Sequence, residues 1–206
     1  MTSRKTFFLV FWLLFIGYAW LIAPNGDQGY LNQLITMDDP DPLLLTVFSL
    51  LGIFPMAFAT ILLNQDDSRV PVWPFVIGSF MLGAFALIPY FFLSSTKGER
   101  NSVRTPGIIR RFLNARVYRF ILLTGTIALV IYGLTAGSFA LYQQAFETSQ
   151  FVHVMTIDFF VLAGLSVFVI YWNERKKGIE NQLFWLGFVP VVGFLAYIAI
   201  EKRKSM

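Results

Sequence analysis

Cysteine is absent from the 206-residue chain. That excludes disulfides, thiolate nucleophiles and cysteine-ligated zinc or iron–sulfur centres, and it leaves the redox compartment open. Histidine occurs once, so two histidines of this chain cannot hold a haem between them. Charge is scarce, at 14% of residues, where soluble domains carry about 25%. No phosphate loop, GxSxG, HExxH or CxxC pattern occurs.

What is abundant is apolar surface. Hydrophobic residues make up 56% of the chain, phenylalanine occurs 23 times, and the mean hydropathy is +0.64. A water-soluble fold of this length cannot hide that much, which makes lipid the expected solvent. The net charge of +4 then reports orientation and lipid headgroups before nucleic acid, which is not an expected partner.

Six apolar stretches read as membrane spans: residues 6–23, 42–63, 72–93, 118–141, 151–172 and 183–200. The expected fold is an all-α integral membrane bundle of about six transmembrane helices, with residues 1–206 as a single transmembrane domain. Asp41-Pro42 reads as a helix start, the carboxylate capping free N–H groups and the proline taking the first helical position. Pro55 and Pro190 deprive the carbonyls of Leu51 and Leu186 of their helical partners. Ser79 with Gly83, and Gly133 with Gly137, offer small faces for close helix approach. Trp20, Trp73, Trp172 and Trp185 fall at span ends, as an aromatic belt requires.

Residues 94–116 are the longest basic stretch. Within it Ile108, Ile109, Phe112 and Leu113 share one helical face, and Arg110, Arg111 and Asn114 the other. This spacing predicts a short amphipathic interfacial helix before the fourth span. Arg104, Arg110, Arg111 and Arg116 are candidates for gripping anionic lipid or an acidic partner, and read equally well as topology determinants.

Orientation is ambiguous under six crossings. The third and fifth loops share a side and hold most of the basic residues, which puts them in the cytoplasm or stroma and both termini across the membrane. The basic N-terminus argues the reverse. A two-span miscount, or a re-entrant second or third segment, would reconcile the two. Three spans per half would also relate the halves as an inverted repeat.

The fifth stretch carries the candidate chemistry. It holds the single histidine, His153, near its start, and the one deeply placed charge, Asp158. An ionisable group within a span costs about 2.5–3.5 kcal/mol on insertion scales, so Asp158 demands a partner or a role. Five residues separate the two, about 140° on an ideal helix, so they do not share a face. Asp158 reads either as a ligand-binding or proton-relaying group, or as a buried carboxyl bonded to a neighbouring helix. Asp38, Asp39 and Asp41 read as capping and a solvated loop before they read as cation ligands, so no metal site is expected.

Two stretches carry a resemblance. FPMAFATILL and PVWPFVIGSFMLGAFALIPYFFL, within residues 54–93, resemble membrane proteins of cyanobacteria and chloroplasts. The C-terminal half, with His153, Asp158 and Phe160 spaced as H-x4-D-x-F followed by Pro190 and Gly193, resembles the plastid membrane family required for neoxanthin formation from violaxanthin. The resemblance implies a photosynthetic membrane, cyanobacterial thylakoid, inner or plastid, and a carotenoid or chlorophyll as ligand. It carries His153 and Asp158 over as catalytic positions. The expected function is a non-catalytic pigment- or lipid-binding or complex-assembly factor, working with photosynthetic membrane complexes. The alternatives are an isomerase-like carotenoid-modifying enzyme using Asp158 and His153, and a small transporter.

Overall fold

The computed structural model describes residues 3–26, 28–94, 102–178 and 183–204. Among them the chain is helical throughout: α1 Ser3–Leu21, α2 Tyr30–Thr36, α3 Pro42–Leu62, α4 Trp73–Leu93, α5 Gly107–Asn114, α6 Arg116–Ala136, α7 Phe139–Thr148, α8 Gln150–Lys177 and α9 Val192–Lys204. Short 3-10 turns lie at Leu63–Gln65 and Leu183–Phe188. Five helices, α1, α3, α4, α6 and α8, are long and apolar enough to cross a membrane. The all-α membrane bundle is therefore as expected.

The path of the chain is not. α4 is the expected third span, but Gly83 breaks it with φ 53° and ψ −130°. The rings of Phe75 and Tyr90 lie 5.7 Å apart, whereas fifteen residues of straight helix would separate them by about 22 Å. A Cβ on Gly78 would sit 3.2 Å from that of Ala86. The arms 73–82 and 84–93 are therefore antiparallel. α4 is a helical hairpin that enters the bundle and leaves by the same end, each arm reaching about 15 Å, half of a bilayer's hydrocarbon core.

The expected sixth span is a second hairpin. The Leu183 N–H donates to Glu174 near the end of α8. Four residues on, a Cβ at Gly187 would touch the backbone of Val167, midway along α8. The chain turns at Pro190-Val191, where Val191 takes φ 58°. α9 then climbs back, and Asn173 donates to the Tyr197 hydroxyl at 2.6 Å. Residues 183–204 thus dip to mid-depth and return, a correction to a crossing helix over 183–200.

Four helices remain that run from end to end: α1, α3, α6 and α8. Arg4 donates to the Ser94 carbonyl and lies over the Trp172 ring, so the start of α1, the end of the first hairpin and the end of α8 share one end. At the other, Asp41 caps α3 through the N–H groups of Leu43 and Leu44, and its second oxygen accepts from Ser138 at the α6–α7 junction. Asp41 thus has the capping role its sequence suggests. Every described lysine and arginine lies at the first end, and residues 6–68 and 120–174 contain neither. The second end carries Asp38, Asp39, Asp41 and Glu147. Two re-entrant hairpins remove the conflict over orientation: the chain starts, and α9 ends, on the same side as the basic loop, not across from it.

Each half now reads as a crossing helix, a short helix at the acidic end, a second crossing helix and a hairpin from the basic end. With two crossings per half both halves start from the same end, the order of a parallel repeat rather than an inverted one. α6 packs on α3 through its glycines. A Cβ at Gly133 would lie 2.5 Å from the Thr46 hydroxyl, and one at Gly137 2.6 Å from Leu43, while Thr46 donates to the Leu129 carbonyl. Apolar side chains from α1, α3, α4, α8 and α9 fill the main core. A smaller cluster, Leu34, Leu44, Ala145, Val152 and Met155, seats α2 and α7 at the acidic end. Trp20, Trp73 and Trp185 are exposed, but Trp172 is only 8% exposed, because Tyr90, Phe91, Phe168 and Arg4 pack around its ring.

Candidate functional site

The first hairpin fills only the basic half of the slot between α1, α3 and α8. The other half is a cavity of about 660 Å3, lined by Ala19 of α1, Leu34 of α2, Phe48, Ser49 and Gly52 of α3, the hairpin tip from Ser79 to Gly83, and Phe151, Val154, Met155 and Asp158 of α8. Its walls are mainly apolar and its size suits a lipid-like or drug-sized molecule. The helices are held apart here because a hairpin of half-length has nothing to offer below its tip.

Asp158 sits at that tip and is 5% exposed. The Ala84 N–H donates to its Oδ1 at 2.8 Å. Ala84 begins the arm 84–93, so the carboxyl supplies the cap that a helix N-terminus inside apolar surroundings lacks. The peptide dipoles of that arm point their positive end at the same group. A Cβ at Gly83 would fall 1.6 Å from Oδ2 and 2.8 Å from Oδ1. Glycine is required twice over, by the backbone conformation and by the carboxyl that occupies the side-chain position. Among the described residues Oδ2 has no hydrogen-bond donor, and Asp158 lines the cavity.

His153 has different neighbours. Its Nδ1–H donates to the Phe146 carbonyl at 3.0 Å, since a carbonyl can only accept. Nε2 is then the acceptor for the Tyr18 hydroxyl at 2.6 Å. The ring stacks on Phe146 at 4.2 Å between centroids. The imidazole thus ties α8 to the end of α1 and to α7, while Asp158 serves the tip of α4. The two residues are on separate faces, as their spacing predicts.

The arginines divide similarly. Arg104 is drawn into the loop at the basic end: its backbone N–H and guanidinium bond the carbonyls of Asp66 and Arg69, and its Nη1 lies 3.9 Å from Asp66. Arg110 and Arg111 ride on α5, whose Ile108, Ile109 and Phe112 are exposed and whose Leu113 is buried against the bundle. That is the amphipathic helix expected ahead of α6. Arg116 begins α6 and is exposed. Among the described residues no cluster of three metal-ligating side chains occurs.

Sequence reasoning missed Gly83, Ala84 and Ser79 as parts of the site. No family model matches the chain, and neither a curated protein nor a solved structure matches it.

Proposed function

We propose that this membrane protein holds a lipid-like molecule in the cavity beneath the first hairpin, its apolar body against Phe48, Phe151 and Met155 and its polar end at Asp158. The observation that carries this reading is a cavity of about 660 Å3 whose one ionisable wall group is a carboxyl at a helix break. The chain acts by binding rather than catalysis, and its basic end faces the cytoplasm or stroma. A carotenoid or chlorophyll of a photosynthetic membrane, implied by the resemblance, is one member of this ligand class, and such a membrane's complexes are then the partners to which it is delivered.

The test is gentle purification followed by lipid and pigment extraction from the wild type and from Val154→Trp, which fills the cavity. A molecule retained in stoichiometric amount by the first and missing from the second supports the reading. Equal retention by both overturns it, and an absorption spectrum decides between pigment and colourless lipid.

One observation favours a second reading, a small transporter. A half-helix whose N-terminus meets an acidic group at mid-depth is the arrangement by which transporters coordinate substrate or ion. Flux across proteoliposomes that vanishes in Asp158→Asn would select it.

A further inference from the structure

The polar chemistry of the cavity selects the headgroup, provided the binding reading above holds. Ser79 spends its hydroxyl proton on the Val76 carbonyl and Gln150 an amide proton on Ala19. Asp158 Oδ1 is taken by Ala84. Left over on the lining residues are Asp158 Oδ2, the Gln150 amide oxygen and second N–H, and the Ser49 hydroxyl, of which the carboxyl is the one ionisable group. No lining residue is basic. The approach is of the same kind: the cavity extends from the tip toward Leu34, Met37 and Gln150, at the end where Asp38, Asp39, Asp41 and Glu147 meet no lysine or arginine. An acidic mouth above an apolar chamber with a carboxyl at its floor raises the local concentration of cations and repels anions. We infer that the occupant is a cationic amphiphile, an ammonium-bearing molecule with an apolar body, entering from the acidic end.

This separates from the general reading by headgroup. The protein, in nanodiscs of zwitterionic lipid, is titrated with dodecylamine, dodecanol and dodecanoate, and binding is read by calorimetry against empty nanodiscs. The ammonium should bind at least about tenfold tighter than the alcohol and the carboxylate weakest of all. Asp158→Asn, which keeps an oxygen for Ala84, should bring ammonium and alcohol to near parity, the loss falling mainly on the ammonium. If the alcohol or carboxylate matches the ammonium in the wild type, the headgroup inference falls while the cavity stands. The same holds if Asp158→Asn keeps the preference. If Val154→Trp binds every probe as the wild type does, the cavity reading falls as well. Should Asp158→Asn fail to fold, the wild-type series alone decides.

Discussion

The two hairpins enter from the same end and reach similar depths, yet they close their tips differently. At Pro190-Val191 the chain satisfies itself: Val189 donates to Leu186, Val192 to Pro190 and Gly193 to Val189, all within the turn. At Gly83 the first N–H of the returning arm is given to Asp158, a side chain of another helix. A tip that closes on its own backbone needs nothing from its neighbours and can be packed over. A tip that borrows a carboxyl fixes a polar group at mid-depth and keeps apolar filler away from it. The cavity lies beside the second kind of tip, and that links the topology to the proposed function.

The largest expected effect tests whether both hairpins return to the basic end. With no native cysteine, single cysteines can be introduced at Arg69, Ser102, Lys177, Asp38 and Glu147 and labelled with a membrane-impermeant maleimide. The first three should label from one side and the last two from the other, all or none. Labelling of Arg69→Cys and Ser102→Cys from opposite sides would make α4 a crossing helix and end the comparison.

Next in size is the pair of tip substitutions, which should differ sharply in cost. Gly83→Ala drives a methyl into the Asp158 carboxyl and forces alanine to a glycine-only conformation. About 3–5 kcal/mol of destabilisation is expected from backbone strain together with the lost cap. Val191 holds φ 58° against its β-branched preference but is fully buried in the main core, so Val191→Gly relieves about 1–3 kcal/mol of strain and loses a similar amount of packing, for little net change. Thermal unfolding in one detergent measures both. An equally large loss at both sites would mean that the second tip depends on its side chain as the first depends on Asp158.

Much of this fold is legible in the sequence, and the illegible part has a physical cause. Crossing helices α1, α3, α6 and α8 announce themselves by hydropathy, and Asp41-Pro42 marks a helix start that the structure uses as read. Hydropathy cannot separate a 21-residue crossing from two arms of half that length, because both are buried in the same solvent. Only the charge conflict between the basic N-terminus and the basic third loop hinted at re-entry. Asp158 stands out by its insertion cost, but its partner is a backbone N–H, which leaves no mark on side-chain identity. Gly83 lies in GSFMLGAF, where Gly78 and Gly83 look alike; only the second is broken.

The smallest effect concerns how the first hairpin is pinned to α1, and it is the one a cycle of mutants can apportion. Pro89 has no N–H, so the Phe85 carbonyl four residues earlier loses its helical donor. The Trp12 indole fills the vacancy, its Nε1–H donating to Phe85 at 2.8 Å. Trp12→Phe should therefore cost about 1–2 kcal/mol, the penalty for an unmet carbonyl plus some lost packing. Pro89→Ala restores a local donor for the same carbonyl. Added to Trp12→Phe, it should recover about 1 kcal/mol, so the double mutant is more stable than additivity allows. Among the described residues the second hairpin has no such cross-helix donor to its proline-freed carbonyl; the Val189 N–H takes Leu186 instead. If the Trp12 and Pro89 substitutions add without coupling, the indole bond contributes nothing beyond packing. The first hairpin would then depend on its neighbours only through Asp158.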